Sequence, residues 1–294
     1  MQGNLHLKTC TKILKNMQVY NPKISIIVPT RNSAHTLGAC LKLIQEQTYK
    51  NIETIVVDNQ STDDTVSIAK KYTDKVYTNG PERSAQRNFG ASVSCGEYLC
   101  FIDSDMEIGS VCIEEFVESL KKFEQKEKVV GIITEESFGV GFLAKVKKME
   151  RSFYIGNDEI EAPRIYSAHI FRQVGGYDEG LTGGEDWDLY DRVKGLGVRV
   201  YRTKDRILHN EGELDIDTII RKRFLYGKAF RKYVQKKSNR SNMKGRGIIQ
   251  RMNIFLCHWR DGLKDPLVYL GVFFAKVIEF WAAFLGMMVG YIRK

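Results

Sequence analysis

Apolar and polar positions along this chain fall into a repeating order. Ile24-Ser25-Ile26-Ile27-Val28 is a short apolar run ended by Pro29, as expected of a strand buried on both faces. From Thr36 to Gln47 the period changes, and Leu37, Leu41 and Ile44 recur on one side of a predicted helix. Ile52 to Val57 is a second buried strand, ending at Asp58, and Thr62 or Asp63 is placed to cap a helix running to about Lys71. A short strand at Val76-Tyr77-Thr78, a helix from Ser84 to Val93, a strand from Tyr98 to Ile102, a helix from Ile113 to Phe123 and a strand from Val129 to Thr134 continue the series. This alternation predicts an α/β fold with a mostly parallel sheet and helices on both faces. After Glu135 the order weakens: Gly175-Gly176 and Gly183-Gly184 bracket a loop, and Val198 to Arg202 and Ile207-Leu208-His209 read as further strand pieces.

In such sheets ligands bind beyond the carboxyl ends of the strands. Polar residues collect at three of those ends: Thr30-Arg31-Asn32, Asp58-Asn59-Gln60-Ser61 and Asp103-Ser104-Asp105. Two carboxylates at the end of a buried strand are costly unless a cation neutralises them, and a divalent metal carrying a phosphorylated ligand would do so. Spacing alone does not single them out, because Asp186-Trp187-Asp188 and Asp215-Ile216-Asp217 repeat the pattern. Their place after Tyr98-Leu99-Cys100-Phe101-Ile102 does.

Charge changes the picture in one region. The net charge is +9, yet 12 basic residues and no acidic ones lie between Thr218 and Arg251, leaving 33 basic against 36 acidic elsewhere. That argues against general nucleic-acid affinity and for contact with a local anionic surface. The apolar stretch Leu267 to Ile292 follows, with Lys276 and Glu279 three residues apart on a helix and able to pair. It is about long enough to span a bilayer, but its charges leave an in-plane helix as an alternative. Met1 to Lys23 has no apolar segment of the kind a secretory signal carries. The six cysteines form no C-x-x-C pair and are expected as buried free thiols. The predicted organisation is an extension over 1–22, an α/β domain over 23–215, a basic helical segment over 216–265 and an apolar membrane-associated tail over 266–294.

Six segments in order resemble family 2 glycosyltransferases of the GT-A fold: Ile27-Val28-Pro29-Thr30-Arg31-Asn32, Ile55 to Thr65, Ala85-Gln86-Arg87-Asn88-Phe89-Gly90-Ala91, Phe101 to Asp105, Gly175-Gly176-Tyr177-Asp178-Glu179 and Gly184-Glu185-Asp186-Trp187-Asp188-Leu189. Asn59 and Gln60 depart from the pattern, standing where relatives often carry Asp and Gly. The Q-x-x-R-W motif of processive synthases is absent, and Arg223-Phe224-Leu225-Tyr226-Gly227 resembles the non-processive branch.

The resemblance implies an inverting transfer from a nucleotide sugar, UDP- or GDP-linked, to a lipid-linked or cell-surface glycan acceptor, with Mg²⁺ or Mn²⁺ as cofactor and no nucleic-acid partner. Pro29, Thr30, Asn32, Asp58, Arg87, Asp103 and Ser104 would contact the nucleotide sugar. Asp103, Asp105 and His209 would serve the metal, with Asp105 the more direct ligand. Asp186 would be the catalytic base, with Glu185 its rival and Trp187 a wall beside it. The basic segment and tail would place the protein at an anionic surface, the cytoplasmic face of the cell membrane. Two other readings remain: a sugar-phosphate nucleotidyltransferase, although Thr30 to Ser33 lacks the expected glycines, and a non-catalytic membrane or nucleic-acid binder.

Overall fold

The computed structural model describes residues 20–236 and 248–292. Most of the predicted extension, and the middle of the basic segment, therefore lie outside the described residues. One eight-stranded sheet organises the chain: β1 (Ile24–Thr30), β2 (Ile52–Asp58), β3 (Val76–Thr78), β4 (Tyr98–Phe101), β5 (Met106–Ile108), β6 (Val129–Val140), β7 (Ile165–Ser167) and β8 (Arg199–Glu213), in the order β3-β2-β1-β4-β7-β6-β8-β5. The first four strands run parallel, as the alternation predicts. β7 runs antiparallel to both β4 and β6, and β5 antiparallel to β8, so the second half is mixed. The strand pieces predicted near 198 and 207 are one long strand, β8, which parallels β6 with two irregularities in register.

Alternating side chains of β1 build a core on each face. Ile24, Ile26 and Val28 pack with Leu37, Leu41 and Ile44 of α1 (Leu37–Gln45) and with Phe116 of α4 (Cys112–Leu120). Ile27 faces the other way, toward Ala91 of α3 (Arg83–Ser92), Phe171 of α6 (Ala168–Gln173) and Leu189 of α7 (Glu185–Lys194). The short α2 (Thr65–Ala69) begins later than the predicted cap. Asp63 still acts there, accepting from the Thr65 and Ala34 backbone N–H groups at 3.0 and 3.1 Å.

β6 leads through Gly141 into α5 (Phe142–Ser152). After β8, Asp215 caps α8 (Ile216–Gln235) by accepting from the Thr218 N–H at 2.8 Å, and Asp217 pairs with Arg221. The third acidic pair is thus a polar entry to a helix. Then come α9 (Ile248–Cys257), α10 (Trp259–Lys264) and α11 (Pro266–Ile292). Of the cysteines, Cys40, Cys100 and Cys112 are buried free thiols, whereas Cys95 and Cys257 are free but exposed.

Candidate active site

Strand register brings the polar ends together. Thr30 sits opposite Asp58, and Asp103 follows two residues after Phe101, the partner of Ile27. Asp58 is buried and accepts from Thr30 Oγ1 at 2.9 Å and from the Ser61 N–H at 2.8 Å, which holds the first two strand ends as one unit. Gln86, fully buried, donates to the Thr30 and Val57 carbonyls at 2.9 and 2.6 Å and joins α3 to the same unit. Gln60, at the position where relatives often have Gly, has φ 52°, the left-handed conformation glycine adopts freely. Asn59 donates Nδ2–H to the Pro81 carbonyl at 2.7 Å, which an aspartate could not do. The backbone N–H groups of Asn32, Ser33 and Ala34 already donate to Ser61, Thr65 and Asp63, at 2.8, 2.7 and 3.1 Å. They make no open phosphate loop of the kind a nucleotidyltransferase would use.

Arg87 is the centre of the constellation. A Cβ on Gly90 would come within 2.5 Å of Ile27, so glycine there lets α3 lie close against β1. Arg87 is thereby buried at the sheet, with Nη2 2.6 Å from Asp103 and Nη1 3.2 Å from Asp186. Its guanidinium lies 5.1 Å from the centre of the Tyr177 ring, and Asn88 exchanges two hydrogen bonds of 2.9 Å with the Tyr177 backbone. The segments around 88, 103, 177 and 186 thus meet at one arginine and its neighbour.

Glu185 and Asp186 open α7 after Gly184, whose φ of 79° requires a left-handed backbone. The Glu185 side chain is 6% exposed and pairs with Arg83 at 3.0 Å, whereas that of Asp186 is 41% exposed. Burial, and then the charge of Asp186, push the Glu185 pKa up against the pull of Arg83 and Arg87. Asp188 is buried and bonded to Arg192 and Lys236, so the second acidic pair divides into one accessible and one structural carboxylate. Trp187 donates its indole N–H to the Ile160 carbonyl at 3.0 Å.

β5 pairs with β8 so that Met106 stands opposite His209, and the Asn210 N–H donates to the Asp105 carbonyl at 2.9 Å. This pairing carries His209 Nε2 to 3.4 Å from Asp105 Oδ2. Burial opposes the imidazolium, but Asp105 and Glu135 outweigh it and push the His209 pKa up to about 9. Glu135 also pairs with Arg164 and Arg151, and Arg164 reaches Asp103 at 3.7 Å. Burial works against the Asp103 carboxylate, yet Arg87, Arg164 and Arg83 hold its pKa well below the usual range. Ser104 Oγ bonds Ser33 Oγ at 2.9 Å, and Pro29 lies within β1, opposite Val57.

No group of three His, Cys, Asp or Glu suited to a metal occurs among the described residues. The residues present still fit a cation held partly by a ligand. Asp105 Oδ1 is buried without a hydrogen-bond partner, His209 stands beside the same carboxylate, and hard divalent cations commonly complete their shell with substrate phosphates and water. Asp103, by contrast, has one oxygen on Arg87 and the other near Arg164.

Arg164, Glu135, Arg151 and Arg83 were not singled out from the sequence. Glu135 carried a usable signal, since it follows the apolar run Val129 to Thr134 just as Asp103 follows its own strand. Arg164 carried none: β7 places it by pairing, through the Phe101 N–H to the Arg164 carbonyl at 2.9 Å and the Arg164 N–H to the Gly131 carbonyl at 2.8 Å.

Comparison with known proteins agrees with this fold. The model of glycosyl transferase family 2 matches residues 25–174. The chain belongs to that family. A second model, described as the N-terminal domain of galactosyltransferase, matches residues 164–211, the stretch from Arg164 through α7 to His209. An uncharacterized glycosyltransferase of Rickettsia typhi is 29% identical over 189 residues, 58% of this chain and 58% of that protein. The chain therefore spans little more than half the length of that relative. A GalNAc(5)-diNAcBac-PP-undecaprenol beta-1,3-glucosyltransferase of Campylobacter jejuni is 36% identical over 97 residues, 30% of this chain and 31% of that protein. Among solved structures, a mannosyltransferase of Pyrobaculum calidifontis in complex with GDP-Man and Mn²⁺ superposes with a TM-score of 0.63 at 15% identity, covering 99% of this chain and 95% of its own. The GT-A expectation for the fold is met.

Proposed function

We propose that this family 2 protein is an inverting, metal-dependent glycosyltransferase that moves a sugar from a UDP- or GDP-linked donor to a lipid-linked glycan acceptor at the cytoplasmic face of the membrane. The observation that carries the reading is Arg87, whose two terminal nitrogens contact Asp103 at the strand end and Asp186 at the head of α7. One guanidinium's breadth separates the two carboxylates, with Asp186 on the open side. Asp58, Thr30, Asn32 and Ser104 would take the nucleoside, and the diphosphate would lie over Asp103 and Asp105, where Arg83, Arg87 and Arg164 already converge. Asp105 and His209 would hold the divalent cation, which as a Lewis acid supplies charge stabilisation to the departing diphosphate.

Asp186 takes the proton of the acceptor hydroxyl as its oxygen attacks the anomeric carbon from the face opposite the diphosphate. The anomeric C–O bond breaks through an oxocarbenium-like state, its electron pair leaves on the nucleoside diphosphate, and the anomeric configuration inverts. Glu185, buried against Arg83, orients the arginines rather than meeting the acceptor. The undecaprenol-linked name of the Campylobacter relative supports a lipid-linked acceptor, and the GDP-Man and Mn²⁺ of the fold neighbour make those the first ligands to try.

The test is donor hydrolysis by the purified chain over a panel of nucleotide sugars, with and without EDTA. Turnover restored by Mn²⁺ or Mg²⁺ after chelation is expected. Release of pyrophosphate from a nucleoside triphosphate and a sugar phosphate would instead favour nucleotidyl transfer.

A further inference from the structure

We infer that α11 lies in the plane of an anionic lipid surface rather than across the bilayer, and that it sets the transferase site at headgroup level. This rests on the membrane association proposed above and adds its geometry.

The two sides of α11 differ over the whole length of the helix. Val268, Val272, Glu279, Ala282 and Gly286 face the protein and are buried. Near the start, Val268 and Val272 join Val146, Phe153 and Phe255 in a small core. Farther along, α11 meets α8 with the backbones almost touching: a Cβ on Gly227 would lie 2.0 Å from the Ala283 carbonyl oxygen, and one on Gly286 2.0 Å from that of Phe224. The two charges that interrupt the apolar sequence are on this covered side. Lys276 bonds Glu150 and Glu279 at 2.5 Å each, and Glu279 also pairs with Arg223 at 3.1 Å.

The opposite side has no charged residue. Leu267, Leu270, Phe274, Trp281, Leu285 and Ile292 project outward, from 53% to 77% exposed, along a helix of about 40 Å at 1.5 Å per residue. Protein–protein interfaces carry a hydrogen bond for roughly every 100–200 Å² and a polar rim; in this stripe only the Trp281 indole can donate one. Apolar width, aromatic content and nearby exposed cations (Lys222, Lys228 and Arg260) match a helix seated at a lipid interface. Spanning is disfavoured by the neighbours. With α8 packed backbone to backbone on α11, a transverse α11 would draw Arg221, Lys222 and Lys228 toward hydrocarbon, at a few kcal/mol for each charge near the centre.

α8 also reaches the site. Tyr226 Oη is 3.5 Å from Arg83, which pairs with Glu185 beside Asp186. One helix, about 10 Å across, therefore separates the lipid-facing element from the proposed acceptor side. That favours an acceptor whose reacting sugar stands close to its lipid anchor.

The full chain would be tested with phosphatidylcholine vesicles, with and without phosphatidylglycerol, made from lipids brominated near the headgroup or near the bilayer centre. Expected are at least tenfold stronger partitioning with phosphatidylglycerol, and tryptophan quenching that is greatest for the shallow bromines and lost in Trp281→Phe. Phe274→Glu with Leu285→Glu should cut partitioning at least tenfold while donor hydrolysis in solution persists. Absence of partitioning would overturn the association itself. Partitioning with greatest quenching from the bilayer centre would leave association standing and overturn the in-plane geometry. Partitioning unchanged by the double glutamate variant, or loss of a solution dimer in that variant without any lipid binding, would overturn the assignment of the stripe to lipid.

Discussion

The protein contains two buried ionic networks of similar make-up, and they differ in what is left unpaired. Under α11, Lys147, Glu150, Arg223, Lys276 and Glu279 each have an ion-pair partner, with Lys147 2.9 Å from Glu150 and 3.8 Å from Glu279. At the strand ends, Arg87, Arg164, Asp103, Glu135 and Glu185 are also linked, but Arg87 Nε and Asp105 Oδ1 are buried without partners and Asp186 is open to solvent. Buried polar atoms are nearly always satisfied, so orphans are informative. The first network joins helices. The second leaves one donor and one acceptor atom free, as the proposed nucleoside diphosphate and cation would need.

The comparison can be broken most sharply at the open network. Asp105→Ala should lower sugar transfer by about a thousandfold, the upper end of what losing one electrostatic stabiliser of developing charge costs, while the melting temperature stays within a few degrees. A variant that retains full transfer in EDTA would remove Asp105 and the metal from the mechanism. Asp186→Asn should reduce kcat by roughly 10²–10⁴, the usual contribution of a general base, with nucleotide binding measured by calorimetry unchanged; undiminished transfer would dismiss Asp186 as the base.

At the closed network the effect should fall on stability instead. Glu150→Gln with Glu279→Gln takes both carboxylates from Lys147, Arg223 and Lys276 and should cost about 3–5 kcal/mol in chemical unfolding, the range for leaving a buried charge unpaired, with KM for the donor unaffected. Glu53 provides the smallest and most general check. Burial opposes its charge, but Lys75, Ser25 and Cys95 lower its pKa to about 2 from 4.5. A lowered carboxylate pKa stabilises the fold above the unfolded value and loses that contribution as pH falls from about 4.5 to 2. Acid unfolding should therefore steepen across that window by up to ~3 kcal/mol, and Glu53→Gln should flatten it; an unchanged acid limb in the variant would contradict this.

Much of the site was legible because strand-end chemistry is local. Thr30, Asp58 and Asp103 each follow an apolar run, and parallel register places successive strand ends side by side. Arg87 and Gly90 belong to one recognisable helix, and the glycine explains how the arginine comes so near. The antiparallel insertion of β7 was not legible. Ile165 to Ser167 is too short to carry a period, and its place depends on Gly131 and Cys100, far away in sequence. Arg164 and its link to Asp103 were missed for that reason.

The order of elements, the strand-end carboxylates, the paired charges of α11 and family membership all follow from hydrophobic period and motif order, which are properties of neighbouring residues. Tertiary structure decided which acidic pair does what. Asp103 meets arginines, Asp105 meets His209 through the β5–β8 ladder, Asp186 stays open while Asp188 is buried, and Asp215 merely caps a helix. It also turned Lys276 and Glu279 toward the protein, leaving α11 with one apolar side. Apart from the Asp215 cap, which needs only Thr218 three residues on, those outcomes depend on desolvation and on partners remote in sequence, such as His209 for Asp105 and Glu150 for Lys276, and local sequence encodes neither.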